Sequence, residues 1–72
     1  MTGEEALERA RAIAAEKGWP WLDPVSVRKV RPFLLGSVRW VVMTNAERRG
    51  MNVRIVLDDA SGRILAEGYL PR

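Results

Sequence analysis

The stretch MNVRIVLDDASGRILAEGYL, residues 51–70, decides the fold. Met51, Val53, Ile55 and Leu57 alternate with Asn52, Arg54, Val56 and Asp58, the period expected of a half-buried strand. Asp58 to Arg63 then reads as a tight turn, with Gly62 free to take a positive φ. Ile64 to Leu70 returns as the partner strand. If Leu57 faces Ile64, then Ile55 meets Ala66, Val53 meets Gly68 and Met51 meets Leu70. Arg54 and Glu67 pair on the opposite face.

Working outward, residues 37–44 alternate in the same way, with Val38, Trp40, Val42 and Thr44 on one side. Placing Trp40 opposite Ile55 brings Val42 to Val53 and Val38 to Leu57. Strands are expected at 25–31, 37–44, 51–58 and 63–70, with Pro32 and Pro71 closing the two edges, where proline is tolerated. Residues 4–17 carry Ala6, Leu7, Ala10, Ile13 and Ala14 at helical spacing. Thr2 or Gly3 can cap that helix, Glu4, Glu5 and Glu8 suit its positive end, and Gly18 supplies the stop. The expected fold class is α+β: one N-terminal helix packed on a four-stranded antiparallel meander sheet, a single domain over 1–72. An alanine-rich stripe fits a shallow trough, so Gly68 is expected to face the helix near Ala10 or Ala14. Gly68→Val should then overpack the interface.

Composition narrows the function. A chain of 72 residues builds one core, and its 47% apolar content is enough to fill it. The uncharged runs are too short to cross a membrane, and the acidic start has no apolar segment of an export signal. A cytoplasmic setting is expected. With no histidine and no cysteine, the usual general base, thiol nucleophile and imidazole ligand are missing. Asp58 and Asp59 are neighbours with no further acidic cluster, so they read as turn formers. Gly36, Gly50 and Gly62 stand singly, unlike a phosphate loop. No catalytic, cofactor or metal residue is assigned, and the chain is not expected to be an enzyme.

The last hairpin, VRIVLDDASGRIL at 53–65, resembles the closing hairpin of PepSY domains, and the helix ending AIAAEKG at 12–18 is similar to their leading helix. The order of helix and meander is also similar to the wider cystatin-like shape. The resemblance implies a non-catalytic module of the kind found in peptidase propeptides. The Gln-x-Val-x-Gly loop of cystatins is absent, so their mode of protease inhibition is not implied.

Two surfaces are candidates for binding. By alternation the outer sheet face carries Val41, Met43, Val56, Leu65 and Tyr69, interspersed with Arg39, Arg54 and Glu67. An apolar patch rimmed by arginine and tyrosine has the composition of a protein interface. The expected partner is another protein or a second copy of the chain, as in a homodimer. The alternative is nucleic acid or another polyanion at the end that collects Trp19, Trp21, Arg48 and Arg49, where rings beside arginines would suit single strands. The net charge of +3 is small for that task, although residues 18–72 carry +4 and residues 1–17 carry −1. Phe33, Leu34 and Leu35 are expected to plug the core, and Trp19 and Trp21 to close it.

Overall fold

The computed structural model describes residues 1–31, 36 and 38–71. The chain runs α1 (Gly3–Lys17), β1 (Ser26–Val30), β2 (Arg39–Met43), β3 (Asn52–Asp58) and β4 (Ile64–Leu70). The strands form one antiparallel sheet in the order β1-β2-β3-β4. The α+β meander read from the sequence is the fold. The segment Phe33–Leu35 lies outside the described residues.

The helix begins where its chemistry dictates. The Thr2 hydroxyl accepts from the Glu5 amide while the Glu5 carboxylate accepts from the Thr2 amide, a reciprocal capping box. Gly18 ends it in the left-handed conformation, donating its N–H to the carbonyls of Ala14 and Ala15. Ala6, Ala10, Ile13 and Ala14 are buried, and with Val42, Val53, Ile55 and Leu57 they make the core. Trp19, Trp21, Val25, Val27, Trp40 and Tyr69 pack around it.

Two registers differ from the sequence reading. Trp40 pairs with Leu57 and Val42 with Ile55, two residues away from the expected pairing, so every inward residue keeps its face. The cause is the loop 44–52. The buried Asn52 side chain donates to the carbonyls of Thr44, Asn45 and Arg48 and accepts from the Gly50 N–H. This clamp satisfies groups that a shorter hairpin would leave unpaired.

The second difference changes faces. Leu57 does meet Ile64, but a bulge follows, with Leu65 as the extra residue of β4. Beyond it Val56 pairs with Ala66, Ile55 with Glu67, Arg54 with Gly68 and Val53 with Tyr69. Residues directly opposite share a face, so Glu67 and Tyr69 turn toward the helix side while Ala66 and Gly68 turn outward. The bulge places the large aromatic side chain against the core and the glycine outside. Tyr69 stacks on Trp19, ring centroids 6.2 Å apart, and Glu67 reaches Lys17 at the end of the helix, 3.4 Å away. Gly68 therefore does not face the helix. The helix lies across β1, β2 and β3, and none of its Cα atoms comes within 8 Å of a Cα in β4.

Candidate functional site

The outer face of the sheet is built from every second residue of four strands. The pairing puts Arg28 beside Val41, Ser26 beside Met43, Arg39 beside Asp58, Met43 beside Arg54, Val41 beside Val56 and Arg54 beside Gly68. Two depressions lie on it and share Met43 and Arg54. One, of about 310 Å³, is lined by Ser26, Arg28, Val41, Met43, Ala46 and Arg54. The other, of about 290 Å³, is lined by Met43, Asn52, Arg54, Gly68, Tyr69 and Leu70. Together they make a groove that crosses the sheet from β1 to β4.

The second depression opens over Gly68. A Cβ built there would meet nothing within 4 Å, and the backbone is not in the left-handed region. The groove is cationic as well as apolar. Among the described residues no carboxylate lines it, and Arg28, Arg39 and Arg54 form no ion pair. One carboxylate, Asp58, shares the face beside Arg39, and the others lie away from it. Asp58 accepts from the amide and hydroxyl of Ser61 within its own turn, and Glu67 reaches Lys17. Asp59 accepts a 2.6 Å bond from the Trp40 indole N–H, which is the main reason its carboxyl sits below the usual carboxylate range.

The structure thus brings together Val41, Met43, Val56, Arg39 and Arg54 on one face. Tyr69 lines the second depression with Met43 and Arg54, although its ring packs on the other side. The bulge turns the Tyr69 ring onto Trp19, and Leu65 is the unpaired residue of the bulge, 40% exposed. Val56 is on the face yet only 5% exposed, so Val41 and Met43 supply the accessible apolar floor. Arg28 and Gly68 are members that the alternation of β2 and β3 leaves unmarked. The signal for Arg28 lies in β1, where Ser26, Arg28 and Val30 oppose Val27 and Lys29.

The chain matches no family model, no curated protein and no solved structure. The site must be read from its own geometry.

At the other end, Trp19 and Trp21 are half-buried against the core, and the Arg11 guanidinium lies 5.6 Å over the Trp21 ring. Arg48 and Arg49 are exposed on a separate depression lined by Leu22, Asn45, Gly50 and Met51. Neither tryptophan lines it. Among the described residues no helix is long and apolar enough to cross a membrane.

Proposed function

We propose that this chain is a non-catalytic binding module that docks a protein partner through the outer face of its sheet. The observation that carries the reading is the groove itself: an apolar floor of Val41 and Met43, flanked by Arg28 and Arg54, with no carboxylate among the described residues of its lining. Desolvated apolar area beside arginine is the composition of binding hot spots. The lack of histidine and cysteine in the sequence and the resemblance of the last hairpin to PepSY domains point to binding rather than catalysis.

Face-to-face pairing with a second copy is the weaker form of this reading. It would oppose Arg28, Arg39 and Arg54 of one chain with the same residues of the other, and like charges across an interface are costly. The polyanion reading at the other end is not favoured, since the tryptophan rings there are engaged with Tyr69 and Arg11.

The test is capture of host proteins on the immobilised chain and on two charge-reversed forms. A specific partner should be retained by the wild type and by Arg48→Glu with Arg49→Glu, and lost with Arg28→Glu and Arg54→Glu. Retention that ignores the second pair and depends on the first would overturn the assignment.

A further inference from the structure

We infer that the groove takes an acidic protein segment carrying an apolar anchor, its carboxylates on Arg28 and Arg54 and its anchor side chain in the trough over Gly68. The inference rests on the outer-face reading above and names the chemistry of the partner.

Charge complementarity argues for the acidic part. Arg28 and Arg54 line the groove with no ion pair and no lining carboxylate among the described residues, while Asp58 lies on the same face beside Arg39. A guanidinium offers a planar fork of donors that matches a carboxylate in two hydrogen bonds. The acidic residues of the helix, Glu4, Glu5, Glu8 and Glu16, belong to the layer on the other side of the sheet and cannot neutralise this face.

Shape argues for the anchor. The trough at β4 is lined by Met43, Gly68, Tyr69 and Leu70, with Arg54 and Asn52 as its polar members. Its 290 Å³ admits a leucine, methionine or phenylalanine side chain, and Leu70, 58% exposed, stands at its rim. A phosphate backbone has nothing to place in such a trough. Among the described residues the aromatic rings are engaged: Trp19 and Tyr69 stack on each other, Arg11 lies over Trp21, and Trp40 is tied to Asp59 on the helix side. A protein segment is favoured over nucleic acid for that reason.

The experiment pans the intact chain against a displayed library of short random peptides. The recovered peptides should be rich in Asp and Glu around a single large aliphatic or aromatic residue. Made synthetically, they should lose roughly tenfold or more in affinity on Gly68→Leu, which fills the trough, and on Arg54→Glu, which reverses its flank. Arg48→Glu with Arg49→Glu should leave them unchanged. Thermal melts of each variant separate lost binding from lost folding, and Arg54→Glu keeps the test decisive if Gly68→Leu is unstable. No enrichment, peptides without acidic bias, or peptides indifferent to Gly68→Leu overturn the inference. Single-stranded DNA that competes with the peptides at equal charge and is lost on Arg54→Glu overturns both the inference and the protein-partner reading, whereas recovered peptides without acidic bias that still depend on Arg54 overturn the inference alone. Dependence on Arg48 and Arg49 alone overturns both.

Discussion

Asn52 shows how much one buried polar side chain can decide. Its amide donates to three backbone carbonyls and accepts the Gly50 N–H, so it organises the whole 44–52 loop. Nearby, the fully buried Thr44 hydroxyl accepts the Val53 N–H. Asn52→Ala leaves several of these groups unpaired in a dry site and should cost about 1–3 kcal/mol, read from denaturant unfolding. A cost near zero would mean that water takes over the clamp. Asp59 sets a pH dependence. Its hydrogen bond from Trp40 depresses the folded pKa, so the stability it contributes is present above the unfolded value near 3.8 and is lost as pH falls through the lower folded value. Glu5, depressed mainly by the Thr2 amide, acts in the same direction. Asp59→Asn should therefore flatten the fall of melting temperature on acidification. An unchanged slope would show that the indole bond is not held in solution.

At the scale of elements, helix bounds and strand order were legible because periodicity, capping residues and glycine stops all agreed. Pairing register was legible only as far as alternation constrains it. A slip of two residues between β2 and β3 keeps every face, so the pattern of Trp40 and Val42 is satisfied equally by Ile55 or Leu57 as partner to Trp40. What separates them is Asn52, whose clamp needs the longer loop. The bulge at Leu65 was hidden for another reason. An uninterrupted ladder pairs Arg54 with Glu67 attractively, but it leaves Tyr69 outside and glycine within. Burying an aromatic ring instead of a hydrogen outweighs one exposed ion pair, whose value is commonly below about 1 kcal/mol. The candidate site inherited that error: the Tyr69 ring belongs to the core side, while Gly68 and Arg28 join the outer face. Two substitutions test the arrangement. Tyr69→Ala should cost roughly 1–3 kcal/mol through lost burial and the Trp19 stack. Ala10→Leu, at a fully buried position between helix and sheet, should overpack by about the same amount.

At the scale of the whole molecule, a single helix cannot cover a four-stranded sheet on both sides. It protects β1 to β3 on one face and leaves the outer face with β4 at an open edge, where Ile64, Leu65 and Leu70 are exposed. The bulge in β4 interrupts that edge, a known guard against unwanted strand pairing. The described part of the outer face carries Arg28, Arg39 and Arg54, which would oppose one another if two copies met face to face. All of this depends on Gly68 pointing outward. Had β4 paired without a bulge, Gly68 would lie under the helix and no trough would open on the other side. The melting temperature of Gly68→Val against wild type tests the point directly. With the residue outward over open space, it should stay within about 3 °C of wild type or rise, since valine suits a strand better than glycine. A fall of roughly 5 °C or more, the mark of overpacking between helix and sheet, would contradict the account.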